Sequence, residues 1–218
     1  MELKGKKIAF MGDSITEGFG TSNPENIFWN QIARRTGALC YGYGIGGTRY
    51  ARQRVPSTPR EDMDFVSRVD SMIPDADIVV VFGGTNDFGH GDAPFGTMSD
   101  RTNDTFCGAL HVLYQKLYER YPEAQLVIMT PTHRINEDER DWNKFNLRRA
   151  APLSDYVNAI RMVAEYYSIP VLDLWSVSGL QPRVPGVKEQ YAPDGLHPND
   201  AGHTLIANKL IGFLETLS

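Results

Sequence analysis

The sequence predicts an α/β protein in which a parallel sheet of five strands lies between two layers of helices. Five short apolar runs alternate along the chain with stretches whose apolar residues recur at helical spacing. This alternation is typical of a three-layer α/β/α sandwich. The 218 residues, 41% of them apolar, are enough for one sizeable core, so we interpret residues 1–218 as a single domain.

The first two strands are predicted on either side of one helix. Residues 8–11 form an apolar run that ends directly before a turn over residues 12–18. Apolar residues at helical spacing over 27–33 indicate the helix, and Gly37 after it is a residue type that often ends helices. Residues 38–41 then predict the second strand.

A glycine-rich segment over residues 42–48 follows the second strand. Its spacing matches the fingerprint of dinucleotide-binding folds, but that fingerprint needs an apolar helix directly after it. The next residues are basic and are stopped by Pro56. We therefore expect a loop whose backbone amides approach a ligand, with a purely structural turn as the alternative.

The middle of the chain contains the strongest strand signal. Residues 77–82 are nearly all β-branched or aromatic apart from the first, which predicts a central strand buried on both faces. A helical stripe over 106–117 and a fourth strand over 125–129 follow. The polar stretch 132–152 is long for a compact domain and is either a cover over the site or a disordered excursion. Trp142 and Phe145 favour a cover, with anchoring on the body of the protein or on a partner subunit as the alternative.

The last part of the chain repeats the pattern. Residues 157–167 form a helical stripe, and 170–174 begin a fifth strand. We expect an irregular loop over 179–193 and a final helix over 205–217.

Composition limits the classes of partner. The formal net charge of −5 argues against nucleic-acid binding, which depends on an excess of clustered Lys and Arg. No apolar run is long enough to span a membrane, and none near the start resembles a signal segment. Cys40 and Cys107 lack metal-like spacing and are expected to be free thiols. We expect a cytoplasmic protein with no membrane partner and no cofactor or metal.

Three residues at the predicted strand ends have the chemistry of a catalytic triad. Ser14 can supply a nucleophilic hydroxyl, His197 can accept its proton, and Asp194 can hold the other ring nitrogen. In open α/β sheets the carboxyl ends of the strands share one crevice, so these distant residues can meet there. The alternatives are structural: a helix cap for Ser14, a turn for Asp194 and an ordinary loop position for His197.

Three groups can stabilise the oxyanion that such a nucleophile generates. They are the side-chain amide of Asn86 and the backbone amides of Ser14 and Gly47. The alternative for Asn86 is a helix cap.

Several polar or aromatic residues near these positions are candidates for substrate contact. They are Asp13, Gly46, Asp87, His133, Arg134, Trp142 and Tyr191. Aromatic faces suited to sugars are expected from Phe88, Trp142, Trp175 and Tyr191. We interpret His90 as part of a solvated loop and His203 as structural.

Four sequence blocks resemble those of the SGNH hydrolase superfamily, also called the GDSL esterase/lipase family. They cover residues 12–14, 46–47, 84–87 and 194–198, in family order and over nearly the whole chain. The resemblance implies a flavodoxin-like sheet of five parallel strands and ester hydrolysis without a metal. It also implies the nucleophile, base and orienting roles assigned above, and the same three oxyanion donors. One departure is Gly42, where the second block of the family usually has asparagine.

The resulting hypothesis is a serine esterase that acts on short-chain acyl esters, with carbohydrate acetyl esters as the narrower expectation. The alternatives are an acyltransferase, a thioesterase or lysophospholipase using the same residues, and a binding module that has lost turnover. The expected partner is a small-molecule ester, and assembly into a homo-oligomer is left open.

Overall fold

A five-stranded parallel sheet forms the centre of the protein, as predicted. The computed structural model describes residues 1–139 and 149–217. The spatial order of the strands is β2-β1-β3-β4-β5, and every neighbouring pair is parallel. The strands are β1 (Lys7–Gly12), β2 (Leu39–Gly44), β3 (Ile78–Phe82), β4 (Gln125–Met129) and β5 (Val171–Leu172).

Helices follow the strands and cover both faces of the sheet. Their bounds are α1 (Ser14–Glu17), α2 (Phe28–Thr36), α3 (Phe65–Arg68), α4 (Thr85–His90), α5 (Phe106–Arg120), α6 (Leu153–Tyr166), α7 (Leu174–Val177), α8 (Pro185–Tyr191) and α9 (Asp200–Thr216). Single 3-10 turns lie at Pro24–Asn26 and Val69–Ser71. The fold is thus the predicted α/β/α sandwich.

The two faces of the sheet contribute to separate cores. On β3, Val79 and Val81 pack into the core beneath α5 and α6, whereas Ile78, Val80 and Phe82 pack into the core beneath α2 and α9. All five residues are buried, which confirms the prediction of a central strand covered on both faces.

The second strand is longer than the sequence predicts. Gly42 and Gly44 pair in register with Phe10 and Gly12 of β1, so the strand continues into the segment expected to be a loop. The glycine is needed for packing, because a Cβ at Gly42 would lie 2.4 Å from the Trp29 ring of α2. The sequence around position 42 contains the glycine, but it does not show the Trp29 ring that requires it.

The region around the fifth strand differs more strongly from the prediction. The strand has only two residues, and Leu174 already begins α7. The expected irregular loop over 179–193 contains α8, which starts at Pro185, a residue whose fixed φ suits the first turn of a helix. Its lack of buried residues explains why no apolar stripe marks it.

Residues 1–139 and 149–217 contain no helix long and apolar enough to cross a membrane. In the same ranges, no three His, Cys, Asp or Glu side chains are grouped so that they could hold a metal ion. Cys40 and Cys107 are both free, as predicted.

Candidate active site

Ser14 lies at the carboxyl edge of the sheet, just after an interior strand. It is the first residue of α1 and follows β1, which lies between β2 and β3. Asp13, not Ser14, caps this helix: its carboxylate accepts a hydrogen bond from Ile15 N at 3.0 Å. The Ser14 hydroxyl is therefore not used as the cap.

The turn into α1 depends on close backbone approach. A Cβ at Gly12 would lie 2.0 Å from Thr16 Oγ1, and one at Gly44 would lie 2.1 Å from Glu17 N. Both distances are far below any real contact, so only glycine lets α1 pack this tightly over the ends of β1 and β2.

Ser14, near the start of the sequence, contacts His197 near its end, and His197 in turn contacts Asp194. Ser14 Oγ lies 3.1 Å from His197 Nε2, and His197 Nδ1 lies 2.6 Å from Asp194 Oδ2. Asp194 Oδ1 accepts hydrogen bonds from the backbone amides of Leu196 at 2.9 Å and His197 at 2.7 Å. One carboxylate thus fixes both the loop and the imidazole ring.

The charge state of Asp194 suits that arrangement. Partial burial raises the pKa of its carboxyl, but the hydrogen bonds from the His197 ring and from two backbone amides outweigh this and keep the pKa below its usual value. An ionised carboxylate at Nδ1 keeps the proton on that nitrogen. Nε2 is then free to accept the proton of the Ser14 hydroxyl.

The three expected oxyanion donors lie on one cavity of about 570 Å³. Ser14, Gly47 and Asn86 line it together with His197. The Asn86 amide donates one hydrogen bond to Thr48 O at 3.0 Å, which fixes its orientation. Gly47 has a φ of +79°, and a Cβ there would lie 2.7 Å from Glu61 Cγ.

A buried arginine holds the Gly47 loop in place. Arg49 Nη1 donates to Gly47 O at 3.2 Å, and its Nη2 donates to Glu61 O at 3.0 Å. The same guanidinium forms an ion pair with Asp62 at 3.3 Å.

Two of the predicted substrate contacts do line the cavity. Gly46 N donates to the Glu17 carboxylate at 2.6 Å, and Arg134 reaches the cavity from the loop after β4.

The two predicted aspartate contacts are corrected by the structure. Asp13 and Asp87 are almost completely buried, and neither lines the cavity. The Asp87 carboxylate accepts hydrogen bonds from the amides of Tyr50 at 3.1 Å and Ala51 at 3.0 Å. Burial raises the pKa of Asp13 to about 7 and that of Asp87 to about 6. Both carboxyl groups organise backbone beneath the site.

His133 and Tyr191 also lie away from the cavity. The His133 ring contacts Trp175, with centroids 3.8 Å apart, and donates from Nδ1 to the Glu137 carboxylate at 2.9 Å. Tyr191 packs against the core beneath α2 and α9. Trp142 and residues 140–148 of the expected cover lie outside the described residues.

The expected sugar platforms need the same correction. Phe88 is fully buried, and Trp175 is partly buried against the core beneath α5 and α6 and contacts His133.

Sequence reasoning missed several residues of the cavity wall. His90 is buried in α4, not in a solvated loop, and its Nδ1 lies 2.9 Å from Arg49 Nη1. The available signal was its spacing: His90 follows Asn86 by four residues, which places both on one helix face. Phe19, exposed over 61% of its surface, contacts the His197 ring at 4.4 Å; no local pattern indicates this contact.

The chain is similar to known proteins over nearly its full length. The GDSL-like Lipase/Acylhydrolase family matches residues 10–205. A GDSL lipase of Mycobacterium tuberculosis is 26% identical over 96% of this chain and 82% of its own. A protein from Lactobacillus plantarum with a solved structure is 30% identical, with a TM-score of 0.82 and 99% of both chains covered. An acetyl xylan esterase has a TM-score of 0.68 at 20% identity, covering 95% of this chain and 99% of its own.

Proposed function

The chain belongs to the GDSL-like lipase/acylhydrolase family, and from that premise we propose that it is a serine esterase acting on short-chain acyl esters. The observation that carries the proposal is the continuous contact from Ser14 through His197 to Asp194, with distances of 3.1 Å and 2.6 Å. A nucleophile, a base and an orienting acid in hydrogen-bond contact are what acyl transfer through an ester intermediate requires.

In the proposed acylation step, Ser14 Oγ forms a bond to the ester carbonyl carbon while its proton moves to His197 Nε2. The carbonyl π electrons move onto oxygen, and the resulting oxyanion accepts hydrogen bonds from the Gly47 and Ser14 amides and from the Asn86 side chain. The tetrahedral intermediate collapses, the carbon–oxygen bond to the alcohol breaks, and His197 gives its proton to the departing oxygen. The acyl group is then an ester of Ser14.

Water then hydrolyses the acyl-enzyme, with His197 acting first as a base and then as an acid. His197 Nε2 takes a proton from water, the hydroxide oxygen bonds to the acyl carbon, and a second oxyanion forms on the same donors. His197 then returns the proton to Ser14 Oγ as the acyl bond breaks. The carboxylic acid leaves and the free hydroxyl is restored.

The cavity supports short acyl chains. Among the described residues that line it, the large apolar side chains are Phe19 and Leu196, and the others are glycines or polar groups. A long lipid tail gains about 0.8 kcal/mol for each methylene that it buries, and this lining offers little surface for such burial. Activity that rose steadily beyond about eight acyl carbons would contradict this part of the proposal.

Carbohydrate acetyl esters are a narrower candidate. The exposed ring of Phe19 beside His197 is the observation that favours them, because an aromatic face suits the apolar face of a sugar. The acetyl xylan esterase shares the fold of this chain, and acetylated xylan is therefore a reasonable first polymer to test. If the protein releases acetate from acetylated xylan more slowly than it hydrolyses p-nitrophenyl acetate, the general esterase proposal still stands.

The test compares hydrolysis of p-nitrophenyl acetate by the wild type and by Ser14→Ala. We expect the variant to lose at least about a thousandfold in kcat/KM, the scale for removing a triad member. Ser71→Ala is the matched control, because Ser71 is an exposed serine whose hydroxyl bonds locally to Arg68 O before β3. Its rate should equal that of the wild type.

Two other outcomes separate the alternatives. If added alcohols divert most acyl groups into new esters, the enzyme is an acyltransferase on the same residues. If wild type and Ser14→Ala are equally slow on acyl esters and thioesters, the chain is a binding module and the proposal is wrong.

A further inference from the structure

Two arginines occupy one wall of the active-site cavity. Arg134 follows β4 and Arg149 precedes α6, and both line the cavity beside α4. Both guanidinium groups lie over the same ring: the Phe88 centroid is 5.3 Å from the Arg134 Cζ and 4.9 Å from the Arg149 Cζ. Two positive charges are thus held close together within reach of Ser14.

The hydrogen bonds that Arg134 makes to other described residues go to neutral groups. Its Nε donates to Asn136 Oδ1 at 3.0 Å, and its Nη1 donates to Thr85 O at 3.1 Å and Thr85 Oγ1 at 3.2 Å. These contacts fix the orientation of the guanidinium without neutralising it. Burial, followed by the charge of Arg149, lowers the pKa of Arg134 to about 10, so the group remains charged at neutral pH.

Arg149 has a buried side chain with few polar contacts to the described residues. Its side chain is only 7% exposed, yet its one ion pair among the described residues is a 3.5 Å contact with Glu139, whose side chain is 55% exposed. The Nε of Arg149 is buried without a hydrogen-bond partner. A charged donor in this position is costly unless a ligand supplies the missing acceptor.

The opposite wall of the cavity is different, because its cation is already paired. Arg60 forms an ion pair with Glu17, whose other oxygen accepts from Gly46 N. Glu61 also lines that wall, beside Gly47. Among the triad residues, the charge of Asp194 is committed to the His197 ring. Glu139 offsets one of the two charges of Arg134 and Arg149, so among the described residues one positive charge is left unbalanced on their side of the cavity.

We propose that Arg134 and Arg149 form an anion subsite, and that the natural ester carries a carboxylate which this subsite binds. A guanidinium presents parallel N–H donors whose spacing matches the two oxygens of a carboxylate, so one such group can satisfy both arginines. The inference rests on the proposed esterase function and narrows its substrate class to anionic esters. It also accounts for a local positive site on a chain whose net charge is −5.

The experiment uses two matched pairs of esters. One pair places the charge on the alcohol: para-acetoxybenzoate against its methyl ester. The other places it on the acyl group: mono-p-nitrophenyl glutarate against p-nitrophenyl pentanoate. In at least one pair we expect kcat/KM to be about tenfold or more higher for the anionic ester, and we expect this ratio to fall as salt is raised.

Variants assign the preference to the subsite. Arg149→Met should reduce the anionic-to-neutral ratio at least about fivefold, and Arg149→Lys should retain part of it, because it keeps the charge but loses the paired donors. Arg60→Met is the matched control in the same cavity, and the ratio should survive it because Glu17 already neutralises that arginine.

A measurement on the unaltered protein covers the case in which Arg149→Met does not fold. Free glutarate should inhibit hydrolysis of p-nitrophenyl acetate competitively, whereas its neutral diamide should not. The proposal is overturned if wild type hydrolyses the neutral ester of each pair as fast as the anionic one, or if glutarate and the diamide inhibit equally. Absence of hydrolysis of every ester would instead refute the esterase function itself.

Discussion

Ser14 and His197, the proposed nucleophile and base, each have an aspartate close by in sequence, and burial and hydrogen bonding shift the pKa values of the two carboxyl groups in opposite directions. Asp13, next to Ser14, is 1% exposed, and burial raises its pKa to about 7. Asp194, three residues before His197, has a side chain that is 49% exposed, and hydrogen bonds from His197 and the backbone bring its pKa below the usual value despite partial burial. The same functional group is thus used once for structure and once for chemistry.

The difference between the two aspartates reflects the different contacts that fix the positions of Ser14 and His197. Ser14 is fixed by a central strand and by backbone packing that admits only glycine at positions 12 and 44. His197 lies on a loop after α8, which is held by a few local hydrogen bonds to Asp194 and by one from Ile135 N to Gly195 O at 2.9 Å. Loss of Asp194 should therefore affect catalysis, and loss of charge on Asp13 should affect folding.

The largest expected effect is that of Asp194→Asn on activity. An amide nitrogen facing His197 Nδ1 would favour the tautomer with its proton on Nε2, which cannot accept the Ser14 proton. We expect kcat to fall about 10⁴-fold, as expected for a wrong tautomer in a serine triad. Steady-state hydrolysis of p-nitrophenyl acetate measures this, with circular dichroism to check that the fold is kept. A loss below about tenfold would show that Asp194 does not orient the base.

An intermediate effect is expected for Asp13→Asn, and it concerns stability. Because the folded-state pKa of Asp13 is raised to about 7, its contribution to stability is complete below the unfolded pKa near ~4 and is lost as the pH rises to about 7. Asparagine remains a good helix cap but does not titrate. Relative to wild type, the variant should gain on the order of 3 kcal/mol in unfolding free energy between acid and neutral pH.

Urea unfolding of both proteins across that pH range measures the difference. A difference that stays constant with pH would mean that folding does not change the pKa of the Asp13 carboxyl. The comparison between the two aspartates would then rest on exposure alone.

The smallest expected effect is that of Asp194→Asn on stability. The lowered pKa of Asp194 means that its contribution is present above the unfolded pKa and is lost as the pH falls through the folded value. Since the side chain is half exposed, solvent screening limits this contribution to less than about 1 kcal/mol at neutral pH. The unfolding free energies of variant and wild type should converge in acid. A gap that widens there would reverse the sign assigned to Asp194.

Local patterns were sufficient to predict most of the architecture. β3 over Ile78–Phe82 and the end of α2 at Gly37 follow from hydrophobic runs and from a residue type suited to a left-handed turn. The residues of the proposed triad could be singled out because parallel strands bring their carboxyl ends to one edge, whatever their separation in sequence. The parallel topology of the sheet therefore brings these residues together, although they are far apart in the sequence.

What could not be predicted depends on contacts between distant segments. The sequence around His90 predicts a loop, whereas the structure places His90 in α4 with its ring in contact with Arg49. From the sequence, Asp13 and Asp87 are candidates for substrate contact. In the structure, the surrounding packing buries both side chains away from the cavity. The meeting of Arg134 and Arg149 over Phe88 joins three separate segments, and no local window contains that information.

The position of β1 between β2 and β3 has a consequence for the order in which the proposed active site forms during synthesis. β1 is made before either of its neighbours and remains unpaired until β2 and then β3 leave the ribosome. Ser14 waits longer still, because His197 is added 183 residues after it. Under the proposed function, a nascent chain carries Ser14 without the residue proposed as its base until the loop over 194–198 has been made and has docked. Turnover of a chromogenic ester would then report the docking of this late loop and not the earlier formation of β1 to β4.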